Sequence, residues 1–430
     1  MMKILFLVYH GFSEHSGISK KIHYQVKGLR ENGYDVRLCY YDFSAEGHRC
    51  RFVDGKVLAD YGTGWLAGLR QRFSYDSLFD YCVREGIRLV YARCFQNANP
   101  WLTRFFCRLR GAGIHAVTEI PTYPYDEEFR SFAFKQRMEL RVDQLFRRRL
   151  YRQMDAVVTF SDAREIFGQQ TINISNGVDF DSVPLHHGPA FSAGSALHLI
   201  GVAEVHPWHA FDRVMTGMGE YYRSSKSKVQ SSKSEFQTSN FKPQTSKSEF
   251  QTSNFKLQTS NFSEVFFHVV GGVHPHHMEH VFRPILDRYQ LHDRVVFHGQ
   301  LFGRQLDDVF DQCQFAIGSL GRHRSGITVI KTLKNREYAS RGIPFVYSEQ
   351  DSDFDDAPYV LKASADESPL DIRGIIDFLS RFSVPPQDIR RSVEHLSWKI
   401  QMRRVVDAVI PPGVSDKGIE KESSNLRLGK

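Results

Sequence analysis

The sequence predicts an α/β protein of two domains, each built on a parallel β-sheet with helices on its faces. Short, fully apolar segments recur along most of the chain, and such segments are typical of strands buried on both faces in a parallel sheet. Longer segments with apolar residues at helical spacing separate them, and this strand–helix alternation is the pattern of parallel α/β folds. The length of 430 residues suits two domains of ordinary size.

The first domain is expected to span residues 1–185. Its predicted strands are residues 3–9, 35–41, 89–92, 117–120 and 156–160. A loop containing Gly17 follows the first strand and leads into an amphipathic helix. Open α/β sheets bind ligands at the carboxyl ends of their strands, and a plain connecting loop is the alternative. The sequence SGISKK resembles the glycine loop after the first strand of GT-B glycosyltransferases, which implies that Gly17 binds the donor by letting its phosphate, or else the acceptor, approach the backbone closely. The loop matches neither the dinucleotide fingerprint nor the ATP-binding P-loop, so neither ligand is expected.

The second domain is expected to span residues 186–385. The joint with the first domain is predicted near residues 186–195, after a sharp turn at Asn176-Gly177. The predicted strands are residues 197–202, 265–270, 294–298, 316–319 and 343–347. A helix is expected over residues 306–311 and a late one over 385–410, whereas the charged tail, residues 411–430, is expected to be disordered.

Composition and cysteine usage indicate a soluble protein of the cytoplasm. The hydrophobic fraction of 41% and the charged fraction of 24% are those of a globular domain. Six scattered cysteines without a C-x-x-C pair indicate reduced thiols rather than disulfides or a zinc site. The apolar run at residues 4–9 is too short for a signal peptide or a membrane span.

A tandem repeat interrupts the second domain. Residues 232–245 read SKSEFQTSNFKPQT, and residues 246–259 repeat them almost unchanged with a period of 14 residues. This composition of Ser, Thr, Gln, Asn and Lys lacks the apolar area that would offset the chain entropy lost on folding. Residues 226–263 are therefore expected to be a low-complexity insertion that the fold does not need. A short binding repeat is the alternative.

A strongly basic segment lies at residues 130–152. It contains eight arginine or lysine residues against two acidic ones, with apolar residues interleaved. A basic amphipathic helix of this kind can lie on an anionic membrane surface. An ordinary surface helix whose arginine stems cover apolar neighbours is the alternative. Nucleic-acid binding is not expected, because no nucleic-acid-binding module accompanies the segment.

A candidate phosphate and nucleotide site lies in residues 319–348. Apolar spacing predicts a helix that begins near Ile327 and ends at Gly342, with Arg324 and Lys331 near its N-terminus and Glu337 in its last turn. Cations at a helix N-terminus attract phosphate, and a carboxylate can accept hydrogen bonds from ribose hydroxyls. The alternative is an amphipathic helix with solvated charges.

The spacing of Glu337, Gly342 and Pro344 resembles the E-A-M-A-x-G-x-P end of the donor site in family 4-like GT-B glycosyltransferases. The resemblance implies two Rossmann-like domains that face a cleft, with the terminal helix, residues 386–410, crossing back to the first domain. It implies that Glu337 binds the nucleotide ribose. Val329 stands where that family tends to have a second glutamate, and His209 stands where it usually places a lysine against the donor diphosphate.

The segment at residues 119–128, EIPTYPYDEE, is similar to a segment on the acceptor side of bacterial polysaccharide transferases. Its prolines favour an extended loop at the end of a strand. Tyr123 and Tyr125 offer flat faces on which sugar rings can stack. Glu119 takes the place of a histidine in many relatives and is expected to be catalytic. The alternative for Glu119 is that it caps a helix or pairs with an arginine.

Together these features predict a hexosyltransferase that moves a sugar from a nucleotide-sugar donor to a glycan or lipid-linked acceptor in bacterial surface polysaccharide synthesis. The resemblance implies retention of anomeric configuration and no metal or other cofactor. The histidines at 206 and 209 and those at 274–280 are candidate metal ligands. No convincing third ligand accompanies the first pair, and a surface loop is the alternative for the second group. Peripheral attachment at the inner face of the membrane fits residues 130–152. A catalytically inactive nucleotide-sugar-binding module and a nucleotide-sugar epimerase are the alternative functions.

Overall fold

The computed structural model describes residues 1–13, 16–93, 97–126, 134–235 and 263–411, without the side chains of residues 135 and 226–235. The chain divides into two units. The first comprises Met1–Ser182, Ile330–Arg336 and Val393–Lys430, and the second comprises Val183–Val329 and Glu337–Ser392. Residues 236–262 of the predicted insertion and residues 412–430 of the charged tail, which we expect to be disordered, lie outside the described residues, whereas residues 226–235 are helical.

The first unit contains a nine-stranded sheet in the order β4-β3-β2-β1-β5-β6-β7-β9-β8. The strands are β1 Lys3–Val8, β2 Asp35–Phe43, β3 Arg49–Val53, β4 Lys56–Asp60, β5 Leu89–Arg93, β6 His115–Ile120, β7 Ala156–Thr159, β8 Glu165–Ile166 and β9 Gln169–Asn173. Six adjacent strands pair in parallel, in the order β2-β1-β5-β6-β7-β9. The edge strands pair antiparallel: β3 and β4 on one side of the sheet and β8 on the other.

Helices cover both faces of this sheet. They are α1 Gly17–Glu31, α2 Gly64–Phe73, α3 Asp76–Arg84, α4 Pro100–Gly111, α5 Phe134–Tyr151 and α13 Trp398–Val409. Alternate residues of β1 enter different cores: Leu5 and Leu7 pack in a cluster with residues of α3 and α4, and Phe6 packs in a cluster with residues of α1 and α13. Burial on both faces explains why β1 is apolar from Ile4 to Val8.

Trp398 anchors α13 within the first unit. A Cβ atom at Gly28 of α1 would lie 2.7 Å from the Trp398 carbonyl carbon, and one at Gly177 would lie 2.5 Å from the indole ring. Gly177 is not in a left-handed conformation and forms no turn, so the sharp turn predicted at Asn176-Gly177 is wrong. Both glycines instead provide the space that the tryptophan needs.

The second unit contains six strands that all pair in parallel, in the order β12-β11-β10-β13-β14-β15. They are β10 Leu197–Val202, β11 Val265–Val270, β12 Val295–Gly299, β13 Phe315–Ile317, β14 Phe345–Tyr347 and β15 Val360–Lys362. The chain extends the sheet on one side up to β12 and then crosses to the other side of β10. The adjacent carboxyl ends of β10 and β13 therefore leave the crevice in which sheets of this order bind ligands.

The helices of this unit are α6 Phe211–Glu235, α7 Pro275–His277, α8 Arg283–Tyr289, α9 Arg304–Phe310, α10 Leu333–Arg341, α11 Ile372–Leu379 and α12 Pro386–Ser392. A π-helical turn, Met278–Phe282, joins α7 to α8, and single 3₁₀ turns occupy Pro207–His209 and Arg322–Ser325. α10 starts in the part of the chain assigned to the first unit and ends in the second.

Two predicted helices differ from the observed ones. The helix expected from Ile327 begins only at Leu333, because the preceding segment is extended and Gln350 N–H donates to Thr328 O at 2.7 Å. The late helix expected over 385–410 is broken into α12, a 3₁₀ turn and α13, whose new start is capped by the Ser397 hydroxyl. In the described part of the chain, no helix is long and apolar enough to cross a membrane.

The two ends of the predicted insertion are held together. The Tyr221 hydroxyl on α6 donates to Ser263 O at 3.0 Å, and the Tyr222 hydroxyl donates to Val265 O at 3.0 Å. Each hydroxyl also accepts the backbone N–H of the same residue, at 3.2 Å for Ser263 and 2.7 Å for Val265. α6 and β11 are therefore tied directly, independently of the residues between them.

Candidate functional site

The crevice of the second unit is bridged by Tyr338. Its fully buried hydroxyl accepts the Val202 N–H at the end of β10, at 3.1 Å, and donates to Ile317 O at the end of β13, at 3.0 Å. One side chain thus satisfies a backbone group from each of the two strands that border the crevice. These hydrogen bonds fix α10 at the carboxyl edge of the sheet. Glu337, the residue before Tyr338 on α10, is held at the same edge.

Glu337 presents a carboxylate that is held on one side and open on the other. Its Oε1 atom accepts hydrogen bonds from Arg341 Nε at 3.1 Å and Nη2 at 2.9 Å, and Arg341 also donates to Asp307 at 2.7 Å. The Glu337 side chain is 32% exposed, and Oε2 accepts no hydrogen bond from any residue that the structure describes. The second oxygen is free to accept a hydroxyl group of a ligand.

Two loops meet beside this edge of the sheet. Leu320 N–H donates to His209 O at 3.2 Å, and Gly321 N–H donates to Trp208 O at 3.1 Å. The Trp208 ring is stacked with His206, with centroids 4.3 Å apart, and Arg322 lies over it with the guanidinium 5.4 Å from the ring centroid. Flat side chains therefore line the loop that follows β10.

Arg324, predicted to bind the donor diphosphate, is already engaged by carboxylates. It donates to Asp212 at 2.8 and 3.1 Å, to Glu367 at 2.9 Å and to Pro207 O at 2.9 Å. The hydrogen bond from Arg324 lowers the pKa of Glu367 to about 2, so this pair stays ionised at neutral pH. The Arg324 guanidinium is therefore available to a phosphate only after one of these ion pairs has separated.

His209 and Lys331 also differ from the expected arrangement. His209 is buried, and its Nδ1 accepts the His206 N–H at 3.0 Å, so Nδ1 carries no proton and the ring is not an imidazolium. Lys331 lies in the extended segment before α10, in the first unit, and its carbonyl accepts a hydrogen bond from Asn176 at 2.5 Å. Lys331 still lies close to the N-terminus of α10, which begins at Leu333, whereas Arg324 is separated from that N-terminus by the extended segment.

Glu119, the predicted catalytic residue, is fully buried on β6 and surrounded by donors. Its two oxygens receive Lys21 Nζ at 3.0 Å, Arg93 Nε at 3.3 Å, Gln25 Nε2 at 2.6 Å and the Tyr91 hydroxyl at 2.7 Å. Burial by itself raises the pKa of Glu119, but the charges of Lys21 and Arg93 and the hydrogen bonds outweigh it and lower the pKa to about 2. A carboxylate with this pKa does not exchange protons near pH 7, so the alternative of pairing with an arginine fits the structure better.

The Glu119 cluster was only partly visible in the sequence. Lys21 and Gln25 lie one turn apart on the buried face of α1, where a purely structural helix would carry apolar residues. Two polar residues on the otherwise apolar face of a helix are the signal that could have identified them. Burial lowers the pKa of Lys21 to about 8, although the Glu119 charge acts in the opposite direction. Arg93, the last residue of β5, completes the contacts of Glu119 with the cations that the structure describes.

The predicted acceptor tyrosines lie against Phe167. Tyr125 is 1% exposed, and its hydroxyl donates to Asp143 at 2.7 Å, so it belongs to the core and offers no face to a sugar. Tyr123 is half-buried, with its ring centroid 5.7 Å from that of Phe167. Gly17 is the first residue of α1, and an added Cβ atom would meet nothing within 4 Å.

A groove of about 550 Å³ lies at the opposite, amino-terminal edge of the first sheet, where β6 and β7 begin. Its lining includes Arg110, His115, Arg152 and Asp155, and none of the predicted site residues borders it. Parallel sheets of this type bind ligands at their carboxyl ends. The groove therefore does not coincide with the candidate site.

No protein-family model and no curated protein matches the sequence. Solved structures do match over nearly the whole chain. A sucrose-phosphate synthase from Thermosynechococcus elongatus is 12% identical with a TM-score of 0.53, covering 99% of this chain and 98% of that one. The catalytic domain of starch synthase IV from Arabidopsis thaliana, bound to ADP and acarbose, is 10% identical with a TM-score of 0.54, covering 95% and 98%.

The Anabaena protein HepE in complex with UDP is 12% identical with a TM-score of 0.50, covering 99% of this chain and all of that one. At such low identities these similarities establish the fold alone. Together with the two Rossmann-like sheets, they confirm the predicted fold class. The chain has the GT-B fold.

Proposed function

We propose that this protein is a glycosyltransferase that moves a sugar from a nucleotide-sugar donor to a glycan or lipid-linked acceptor. The observation that carries the proposal is the open Oε2 atom of Glu337 at the crevice of the second unit, on a helix that Tyr338 fixes to β10 and β13. A carboxylate held by Arg341 accepts hydrogen bonds from the paired hydroxyls of a ribose without having to reorganise.

The structural similarities support a nucleoside diphosphate as the donor's leaving group. The starch synthase IV structure contains ADP and the HepE structure contains UDP, and both share this fold along almost their entire length. In this chain, Arg324 is the candidate for the diphosphate. Glu367 is 62% exposed, so it can rotate into solvent and exchange its place on Arg324 for a phosphate.

On the acceptor side, Glu119 acts through its partners rather than by proton transfer. It holds Lys21 and Arg93 at the carboxyl end of β5, the edge at which parallel sheets of this type bind ligands. Tyr123 and the open space at Gly17 belong to the same proposal. Following the family resemblance, we propose transfer with retention of configuration and without a metal, in bacterial surface polysaccharide synthesis.

Helix α5 supports contact with an anionic membrane surface, at the inner face of the membrane in a cytoplasmic enzyme. Large apolar side chains point into solvent along the helix: Phe134 is 71% exposed and Leu145 is 76% exposed, with Met138 and Val142 between them. Exposed arginines at 137, 141, 148 and 149 flank this stripe. An apolar stripe with a basic border is the pattern of helices that lie in a lipid interface.

A nucleotide-sugar-binding module without catalytic activity is a second candidate. It is favoured by the engagement of Arg324 with two carboxylates and by the absence of an imidazolium at His209, which leave the donor diphosphate with weak electrostatic support. Incubation with a panel of nucleotide sugars separates the candidates. A transferase releases nucleoside diphosphate faster when acceptor is added. A binding module binds the donor without releasing nucleoside diphosphate. An epimerase changes the configuration of the donor sugar without needing an acceptor.

Saccharide extracts and lipid-linked sugars serve as acceptors in this assay, with the Glu337→Gln variant as the matched inactive control. Release by the wild-type protein that exceeds release by the variant supports the transferase. Donor binding without release from any donor and acceptor pair contradicts it in favour of the binding module.

A further inference from the structure

Asp307 on α9 binds the arginine that binds Glu337. Arg341 Nη1 donates to the Asp307 carboxylate at 2.7 Å, while Nε and Nη2 donate to Glu337 Oε1 at 3.1 and 2.9 Å. Because Nη1 lies outside the edge formed by Nε and Nη2, the planar guanidinium can bind both carboxylates at once. It therefore connects a carboxylate of α9 with the candidate ribose-binding carboxylate of α10.

Helix α9 also fixes the plane of the Arg341 guanidinium. Phe310 lies one turn after Asp307 on the same helix, and its ring centroid is 4.1 Å from the guanidinium carbon. The ring is fully buried, and the Arg341 side chain is only 5% exposed. A flat cation that is stacked on a buried ring and bound to a carboxylate has little freedom to rotate. Residues of α9 therefore determine the direction in which Arg341 presents its donors to Glu337.

This support matters because an ion pair within one helix holds a carboxylate only weakly. Such pairs contribute little in water, since both side chains stay mobile and solvated. Glu337 and Arg341 are four residues apart on α10, and the Glu337 side chain is 32% exposed. Asp307 also changes the charge, because one guanidinium between two carboxylates leaves one net negative charge. The second oxygen of Glu337 therefore remains a strong hydrogen-bond acceptor.

We propose that Asp307 is a positioning residue that lets Glu337 distinguish ribose from deoxyribose in the donor nucleotide. This inference rests on the proposed function, in which Glu337 accepts hydrogen bonds from the ribose hydroxyls. An Oε2 atom that is held in one direction strengthens these hydrogen bonds, and a nucleotide without the 2′-hydroxyl leaves the acceptor partly unpaired. Asp307 acts only through Arg341.

Calorimetric binding of UDP and 2′-deoxy-UDP to the full-length protein tests the proposal, with ADP and GDP and their deoxy forms as further pairs. The readout is the ratio of the two dissociation constants. Wild type should bind the ribonucleotide about tenfold or more tightly than the deoxynucleotide, because a charged acceptor binds the additional hydroxyl. Asp307→Ala should reduce this ratio by about threefold or more, since Arg341 and Glu337 can then turn away. The deoxynucleotide should bind nearly as before.

Two further variants on α9 complete the test. Asp308→Ala is the matched control, because Asp308 is 63% exposed and its carboxylate lies 3.9 Å from Arg304. This variant should keep the wild-type ratio. Asp307→Asn keeps the size of the side chain but removes its charge, so it should give an intermediate ratio, and it decides the test if Asp307→Ala does not fold. A wild-type ratio in the Asp307 variants, or equal weakening of both nucleotides, would overturn the proposal.

Glu337→Gln in the same assay separates this inference from the proposed function. If wild type binds none of these nucleotides, or if Glu337→Gln keeps the wild-type ratio, the proposed donor site is wrong and the role of Asp307 falls with it. If Glu337→Gln loses the preference for ribose while Asp307→Ala keeps it, Glu337 binds the ribose without help from α9. In that case only the positioning role of Asp307 is wrong.

Discussion

Glu119 and Glu337 show how their surroundings determine what two identical side chains can do. Glu119 is fully buried and receives four donors, so it neither accepts a further hydrogen bond nor exchanges a proton near neutral pH. Glu337 is partly exposed and has one oxygen without a described partner. A sequence pattern identifies both as candidates, but only the second is available to a ligand.

Two glycines of helix α1 provide a prediction at the scale of single residues. Gly28→Ala should destabilise the protein by about 1–3 kcal/mol, because the added methyl group would lie 2.7 Å from the backbone of Trp398. Gly17→Ala should leave stability nearly unchanged, since nothing lies within 4 Å of the new atom. Chemical denaturation of both variants measures the difference. Equal stability of the two variants would contradict the close packing of α13 on α1.

The sequence identified Glu119 but not the side chains that define its chemistry. Tyr91 and Gln25 are 28 and 94 positions away from it along the chain, and only the sheet and α1 bring them together. Similarly, Arg324 was recognised as a cation, whereas its partners Asp212 and Glu367 come from two distant segments. Local patterns predict which residues are unusual, and long-range contacts decide what they do.

At the scale of elements, three adjacent strands of the second unit carry a row of histidines. His268 on β11 lies between His198 on β10 and His298 on β12, with nitrogen–nitrogen distances of 2.9 Å on both sides. The rings are stacked at 5.2 Å. Arg294 lies over the Phe266 ring that stacks on His198.

This row predicts loss of stability in mild acid. Burial lowers the pKa of all three histidines, and repulsion from its two neighbours helps to lower that of His268 to about 4. The unfolded chain therefore takes up protons below pH 6.5 that the folded chain does not, so stability falls as the pH drops from about 6.5 towards 4. For the buried His268 alone, we expect a loss of about 2 kcal/mol at pH 5.

Denaturation at pH 7.5 and pH 5, for wild type and His268→Gln, measures this contribution. The glutamine variant should lose markedly less stability between the two pH values. His187→Gln, which changes an exposed histidine, is the control and should behave like wild type. The same acid sensitivity in His268→Gln as in wild type would exclude the row as its cause.

Helix α5 predicts salt-sensitive binding to anionic vesicles. Leu145→Asp places a charge on the most exposed apolar position of the stripe and should reduce co-sedimentation at least several-fold, because it repels anionic lipid and removes apolar contact. Wild-type binding should also fall as salt screens the arginines. Val83→Asp, at an exposed site on α3, is the control. Vesicle binding unaffected by Leu145→Asp would leave α5 as an ordinary surface helix.

At the scale of the whole molecule, the tandem repeat is predicted to be dispensable. Tyr221 and Tyr222 bind Ser263 and Val265 directly, so the elements on either side of the insertion do not depend on it. Deletion of residues 226–262, which retains the buried Ser263, should leave the melting temperature within a few degrees, because loop length contributes only weakly to stability. A deletion variant that no longer expresses as a folded protein would contradict this.

The architecture was largely predictable because its central strands are buried on both faces and therefore mostly apolar. β10 and β11 begin and end where the sequence predicts. The hairpin of β3 and β4 was not predicted, because these five-residue edge strands carry charged residues and lack the long apolar run of the central strands. α10 was predicted too long, because pairing of residues 328 and 350, distant in sequence, overrides local helical spacing.

The most direct test of the account is calorimetric binding of UDP, GDP and ADP to wild type and Glu337→Gln. The variant keeps the size of the side chain and weakens two charge-assisted hydrogen bonds, each worth about 1.5–3 kcal/mol. Its melting temperature without ligand should barely move, since a partly exposed ion pair such as Glu337–Arg341 contributes little. Glu279→Gln, which weakens a more exposed i,i+4 pair with Arg283, is the control.

We expect wild type and Glu279→Gln to bind at least one of these nucleotides, and Glu337→Gln to bind it at least tenfold more weakly. That result would place the donor nucleotide at Glu337, as the proposed glycosyltransferase requires. Equal affinity of wild type and Glu337→Gln, or no binding of any of these nucleotides by the wild-type protein, would contradict the account.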